Sequence, residues 1–233
     1  MRVLVACEES QRVCLAFRSR GIEAYSCDIQ DCSGGHPEYH IKGDVIPLLE
    51  DNWDLIIAFP PCTYLSKVGS PLVFNSDGSI KDKSRFEKGL LAADFFYKIY
   101  NAPCKYIAIE NPTPIKCFGL PPYNYVINPY DFGSPYKKRT CLWLKNLPGL
   151  FCTSIFNYAV PFSKARWAQS CGGVTRQKNR SKTFPGVAEA MADQWSKYIY
   201  SQKNSFANKY VKKPGADRLF CDYCYFMSVI IVF

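Results

Sequence analysis

The stretch Trp53-Asp54-Leu55-Ile56-Ile57-Ala58-Phe59-Pro60-Pro61-Cys62 sets the fold class of the chain. A short apolar run of this kind suits a parallel strand covered on both faces. Pro60 and Pro61 fix their φ angles and offer no backbone donor, so the strand ends in a stiff turn. On that turn stands a thiol, Cys62. On the N-terminal side, residues 2–6 form a second buried-strand pattern, followed by a predicted helix over 9–20 with Val13, Ala16 and Phe17 on one face and Gly21 as its stop. Residues 22–27 predict another strand ending at Asp28, and Asp44-Val45 follow a loop rich in Gly, Ser and His. On the C-terminal side, residues 85–100 place Phe86, Leu90, Ala93, Phe96 and Tyr97 at helical spacing. Residues 106–109 predict a strand closing on Glu110-Asn111-Pro112, residues 138–144 a further strand, and residues 184–200 an amphipathic helix.

Alternation of strands and helices predicts an α/β fold with a doubly wound, mostly parallel sheet. Such sheets bind ligands outside the carboxyl ends of their strands. Cys7-Glu8, Asp28, Asp44, Pro60-Pro61-Cys62 and Glu110-Asn111 all fall at predicted strand ends, so the chemistry-bearing residues share one rim.

Composition narrows the partners. The chain has 233 residues, 48% hydrophobic and 21% charged, which fits one globular domain with or without a tail and argues against wholesale disorder. A net charge of +9 favours polyanions, nucleic acid first. The cations cluster: between Ser163 and Ala188 stand Lys164, Arg166, Arg176, Lys178, Arg180 and Lys182 with no acid among them. Twelve cysteines would suit a disulfide framework in a secreted chain, but the N-terminus runs straight into a strand with no signal-peptide pattern. Reduced thiols in a cytoplasm are therefore expected. No apolar run approaches the roughly 18 residues that cross a bilayer, so no membrane partner is expected.

A thiol and a carboxyl at neighbouring strand ends, Cys62 and Glu110, suit covalent catalysis on cytosine. Carbon 6 is a poor electrophile until N3 is protonated; a thiolate adds there while a carboxylic acid serves N3, and C5 becomes able to accept a methyl group. Four segments resemble the cytosine-C5 DNA methyltransferase family, most of all the short forms encoded by phages and prophages. Residues 56–66 resemble its Pro-Cys nucleophile loop, including a downstream serine, Ser66. Ile109-Glu110-Asn111-Pro112 resembles its Glu-Asn-Val segment, residues 132–139 its Tyr-Gly-x-Pro-Gln-x-Arg-x-Arg segment, and residues 184–191 the segment completing the cofactor pocket.

The resemblance covers residues 1–197 or so and implies a Rossmann-like fold dependent on S-adenosyl-L-methionine. It implies Cys62 as nucleophile, Glu110 as the acid at N3, and Lys138 and Arg139 as groups steadying that glutamate or a DNA phosphate. It implies cofactor contacts from Cys7, Glu8, Asp28, Ile29, Asp44, Val45, Pro60 and Glu189, with Asp28 on the ribose hydroxyls and Asp44 on the adenine amino group. DNA, double- or single-stranded, would meet Ser66, Arg166, Arg176, Lys178 and Arg180. The chain departs from the family in four places. Cys7-Glu8-Glu9-Ser10 replaces a glycine-rich turn, and Glu8 is expected to take the methionine amino group instead. Thr63 replaces a glutamine. Lys138 and Thr140 replace an Arg-x-Arg pair. No full target-recognition domain fits before residue 183.

Residues 1–202 are accordingly expected to form the catalytic domain of a monomer, with 145–183 a reduced DNA-contacting insert that includes Trp167 and Gly172-Gly173, and with 203–233 a tail. The tail's Cys221-Asp222-Tyr223-Cys224 is half a zinc site with no histidine near it, so no metal is expected. Three other functions stay open. An amino-methyltransferase would need Asp, Asn or Ser before Pro-Pro, where Phe59 stands. A non-catalytic DNA-binding or anti-restriction protein on the same scaffold is compatible with the altered first loop. An enzyme on free deoxycytidine nucleotides is compatible with the small size.

Overall fold

A computed structural model describes residues 1–154, 156, 158–165 and 179–211. Arg166, Arg176 and Lys178, together with Trp167, Gly172-Gly173 and the Cys221–Cys224 pair, lie outside the described residues. The chain divides into two units, Met1–Tyr198 and Ile199–Phe233.

The first unit is built on seven strands: β1 (Arg2–Ala6), β2 (Glu23–Asp28), β3 (His40–Lys42), β4 (Leu55–Ala58), β5 (Tyr106–Asn111), β6 (Tyr125–Ile127) and, after the two-residue β7 (Tyr136–Lys137), β8 (Thr140–Lys145). Their order is β3-β2-β1-β4-β5-β8-β6. The first five are mutually parallel, and β8 runs antiparallel between β5 and β6. The expected α/β doubly wound, mostly parallel sheet is therefore present, with an antiparallel strand that hydrophobic patterning does not reveal. β6 and β8 are joined by loop 128–139 without a crossover helix, which suits antiparallel neighbours. β7 pairs in parallel with β9 (Val160–Pro161) as a small separate ribbon.

Every residue of β4 is fully buried, as its composition requires. From β1 the chain moves outward to β2; from β4 it moves the other way to β5. Right-handed crossovers in opposite directions put the intervening helices on opposite faces. Helix α2 (Lys83–Tyr100) covers one face, where Phe96 and Ile99 join Leu4, Ala6, Ile56, Ala58, Ile107 and Ile109 in one core. Asp82 caps it by accepting from the Arg85 amide at 2.9 Å. Helix α1 (Arg12–Arg18) is shorter than predicted, because residues 9–11 form a turn with Gln11 at φ 57°.

Helix α3 (Pro185–Ala190) continues through a π turn, Met191–Trp195, into α4 (Ser196–Val211), so the predicted single helix is interrupted. The turn is anchored by Trp195, whose indole donates to the Pro148 carbonyl at 3.0 Å. α3 begins tight against loop 128–139: a Cβ on Gly186 would run into the Phe132 carbonyl. No described helix is long and apolar enough to cross a membrane.

Candidate active site

The strand order reverses between β1 and β4, so the crevice beyond their carboxyl ends is where such a sheet takes a ligand. Hydrogen bonds continue past the strand ends and hold the rim together. The Phe59 amide donates to the Ala6 carbonyl at 3.0 Å, Glu8 to Cys27 at 3.1 Å, and Gly43 to Asp28 at 2.9 Å. Cys7, Asp28, Asp44, Cys62 and Glu110 therefore stand on one edge, as their positions after predicted strands imply.

Around β4 and β5 the geometry is fixed by backbone. The Leu65 and Ser66 amides both donate to the Cys62 carbonyl, at 3.2 and 2.9 Å, and close a tight turn behind the thiol. Next to it, Lys67 donates to Thr113 at 2.8 Å, Ile115 to Leu65 at 2.7 Å, and Ser66 bridges Pro114. The loop after Cys62 is thus zipped to the loop after Glu110-Asn111. Fully buried Asn111 adds a bond from its Nδ2 to the Pro60 carbonyl at 3.2 Å. Ser66, expected to meet DNA, is half-buried in this junction and holds the nucleophile loop to its neighbour.

A cleft opens beside this junction, lined by Phe59, Glu110, Lys138, Thr140, Thr183 and Met191 among others. Burial pushes the Glu110 carboxyl above the usual carboxylate range, against the opposing pull of the Lys138 ammonium and a Thr140 hydrogen bond. Burial also pushes the Cys62 thiol up, and Glu110 adds to that; Lys138 and Arg180 act the other way. Cys62, Glu110, Lys138 and Arg180 are therefore electrostatic neighbours. Lys138 donates to the Arg180 carbonyl at 3.1 Å.

One expected contact falls elsewhere. Arg139 is exposed and donates to the Tyr123 hydroxyl at 3.0 Å, its guanidinium 5.7 Å from the ring centroid; it does not act on Glu110. Thr140 lines the cleft with Lys138 and Glu110 instead, its hydroxyl donating to the Lys138 carbonyl at 3.2 Å. Alternation along extended chain explains the split, since residues 138 and 140 share a face that 139 does not. That period-two spacing was the signal that could have singled out Thr140 beside Lys138. Arg180, expected on DNA, lies near Cys62, with its guanidinium 5.9 Å from the Phe162 ring centroid.

Around β1–β3 the groups are held by side chains. Cys7 adopts φ 59° and Gln11 φ 57°, so two non-glycine residues make the left-handed turns where a glycine-rich loop was expected. Burial raises the half-buried Cys7 thiol well above its ordinary value, and the charges of Asp28, Cys27 and Asp44 raise it further. Asp28 accepts from the Gln30 amide at 2.9 Å and Asp44 from the Ile46 amide at 3.0 Å. Gln11 clamps the loop from β2 over this region through the His36 carbonyl and amide, at 2.7 and 3.2 Å. Ile29 is 76% exposed at the rim, Val45 is buried in the core below Asp44, and Pro60 is buried with its carbonyl on Asn111.

Glu8 and Glu189 need correction. Both oxygens of buried Glu8 accept from the first turn of α1, Val13 at 2.7 Å and Cys14 at 3.1 Å, so it caps that helix rather than facing the crevice as a free carboxylate. Burial raises its pKa to about 8 despite those bonds. Glu189 is exposed on α3 and pairs with Arg20 at 2.6 Å, away from the cleft-lining residues.

No family model matches the chain, and no curated protein matches it. Among solved structures it is similar to a protein described as a DNA modification methyltransferase encoded within an E. coli prophage, at 14% identity and TM-score 0.40 over 72% of this chain and 54% of that one. It is similar to the S. pombe Dnmt2 methyltransferase at 16% identity and TM-score 0.38, over 75% and 57% of the two chains. It is similar to a mutant of Spodoptera frugiperda DNMT2 at 14% identity and TM-score 0.33, over 69% and 54%. The chain spans little more than half the length of each of these structures.

Proposed function

We propose that the chain is a methyltransferase that moves a methyl group from S-adenosyl-L-methionine to C5 of cytosine in DNA, with Cys62 as the nucleophile and Glu110 as the acid. The observation that carries the proposal is the pairing of these two groups: a thiol on a proline-stiffened turn and a desolvated carboxyl, on loops joined backbone to backbone, with the carboxyl acting on the charge of the thiol.

The two protonation states reinforce each other. A raised pKa keeps Glu110 protonated nearer neutral pH, where it can donate toward cytosine N3. Protonated Glu110 no longer opposes a charge on Cys62, while Lys138 and Arg180 favour one. Cys62 Sγ then adds to C6 as N3 gains its hydrogen bond from Glu110, and the electron pair of the ring double bond becomes available at C5. The methyl group joins C5 as its bond to the donor sulfur breaks and S-adenosylhomocysteine departs; the C5 proton then passes to solvent water, the Sγ–C6 bond breaks, and the thiolate and the acid are restored.

The residues along β1–β3 fit the adenosine half of the cofactor. Asp28 and Asp44 present carboxylates at the ends of neighbouring strands, each oriented by an amide of its own loop, and suit ribose hydroxyls and an adenine amino group. S-Adenosylmethionine, when bound, supplies an electrophilic methyl group. DNA as the polymer is supported by sequence charge: from residue 132 to residue 188 there is no acid, against Lys137, Lys138, Arg139, Lys145, Lys164, Arg166, Arg176, Lys178, Arg180 and Lys182. A duplex cytosine must be flipped out before it reaches Cys62, and a single strand avoids that cost.

The test is covalent trapping. Protein is incubated with labelled S-adenosylmethionine and DNA carrying 5-fluorocytosine, in double- and single-stranded form. Fluorine cannot leave C5 as a proton does, so the expected result is an adduct through Cys62 that Cys62→Ala abolishes. Absence of an adduct with both forms, from protein that binds the cofactor by calorimetry, overturns the assignment to cytosine C5 in DNA.

A further inference from the structure

Three aromatic rings pack against one another beside the cleft. Tyr136 and Phe162 have centroids 6.3 Å apart, Tyr136 and Phe184 6.0 Å, and Phe162 and Phe184 5.9 Å. Phe162 and Phe184 are buried, 8% and 6% exposed, yet both border two cations. The Lys138 ammonium stands 5.3 Å from the Phe162 centroid and 5.9 Å from that of Phe184, and the Arg180 guanidinium 5.9 Å from Phe162. These distances lie within cation–π range. The same ammonium donates to the Arg180 carbonyl at 3.1 Å.

A lysine side chain has four rotatable carbons and strong hydration, so its head takes no single position without partners. Here two ring faces and a carbonyl supply them. The partners come from residues on either side of the 166–178 stretch: Phe162 precedes it, Arg180 and Phe184 follow it. Phe162 lies outside the seven-stranded sheet, and among the described residues it meets Lys138 and the two other rings.

We propose that Phe162 is a positioning residue of the active site: with Phe184 and the Arg180 carbonyl it holds the Lys138 ammonium beside Glu110 and Cys62. Lys138 and Phe184 line the cleft, and Phe162 and the Arg180 carbonyl support that ammonium from behind the lining. The inference rests on Cys62 and Glu110 as the reacting pair, but its test uses no methyl transfer.

The full chain is treated with iodoacetamide across a range of pH, and modification of the Cys62 peptide is followed by mass spectrometry. Lys138→Met removes the cation and sets the scale: the Cys62 profile moves to higher pH, because a neighbouring positive charge favours the thiolate. Phe162→Leu moves it in the same direction, and Phe162→Tyr, which keeps a ring face, leaves it at the parental midpoint. Pentafluorophenylalanine at position 162 keeps the shape and reverses the ring's quadrupole, so it shifts the profile without a packing defect and decides the matter should the leucine variant fail to fold. A parental midpoint with the fluorinated ring, or no shift from Lys138→Met, overturns the proposal. Failure of 5-fluorocytosine trapping alongside shifted alkylation profiles would instead remove the methyltransferase function and leave the positioning role standing.

Discussion

At the carboxyl ends of β4 and β5, Cys62 and Glu110 are fixed by hydrogen bonds between main chains: Lys67 to Thr113, Ile115 to Leu65, and the Ser66–Pro114 bridge. At the ends of β1, β2 and β3 the fixing is done by side chains: Glu8 on the amides of α1, Asp28 and Asp44 on amides of their own loops, Gln11 on His36. On the proposed function, the difference matches two demands. A bond-forming pair loses rate steeply with small displacements, so its separation is best carried by backbone. A crevice for a nucleoside needs shape and a few acceptors, and side chains can supply both with other residues than glycine. It follows that substitutions in the β4–β5 half should act on rate, and those in the β1–β3 half on binding and stability.

Glu110→Gln tests the separation most severely. On the proposed function it lowers methyl transfer by about 10²–10⁴-fold, the usual worth of a positioned acid. Cofactor affinity by calorimetry stays unchanged. The variant also carries an internal check on sign: Glu110 raises the Cys62 thiol, so its loss moves Cys62 alkylation to lower pH. A fall in cofactor affinity as large as the fall in rate would join the two halves and break the comparison.

Glu8 tests the other half. Its pKa rises from an ordinary 4.5 to about 8 on folding, through burial. The native state therefore holds a proton that the unfolded chain has released over that interval. Stability from this group is complete below the unfolded value and is lost as pH rises toward 8. The loss is on the order of a few kcal/mol for a fully buried carboxyl. Urea unfolding at pH 5 and pH 8.5 should show the decline in the parent, and Glu8→Gln should flatten it. An equal decline in the variant would assign the pH dependence to other groups.

The two halves also differed in how far the sequence disclosed them. Pro60-Pro61-Cys62 and Glu110-Asn111 sit at the ends of apolar runs, and strand ends define the rim, so their shared edge was legible before any coordinates. Buried parallel strands are continuous apolar runs, which is why β1, β4 and β5 were found where they lie. The three-residue strands β3 and β6 carry too few residues for any periodicity. The direction of β8 depends on connection geometry that hydrophobicity does not encode. Glu8 misled because a carboxylate near a strand end is equally able to serve a ligand or the helix that follows, and sequence cannot say which amides lie within reach. The Glu110 half of the Arg139 expectation failed because a side chain's face depends on local extension, which puts Lys138 and Thr140 in the cleft lining with Glu110 and turns Arg139 onto Tyr123.

The smallest expected effect sharpens the boundary between the cleft and its supports. Resemblance put Glu189 on the cofactor, whereas its carboxylate meets Arg20 at 2.6 Å with side chains 55% and 29% exposed. An ion pair so hydrated contributes about 0.2–1 kcal/mol, and salt weakens it. Among the described residues it ties α3 to the chain just after α1, and Arg12 of α1 also donates to the Thr183 carbonyl just before α3 at 2.7 Å. Glu189→Gln should therefore lower the urea midpoint slightly, less so in high salt, and leave the calorimetric affinity for S-adenosylmethionine where it was. A tenfold loss of that affinity with an unchanged urea midpoint would return Glu189 to the crevice. It would also mean that α1 and α3 shift relative to each other when the cofactor binds, since the present pairing with Arg20 would then have to open.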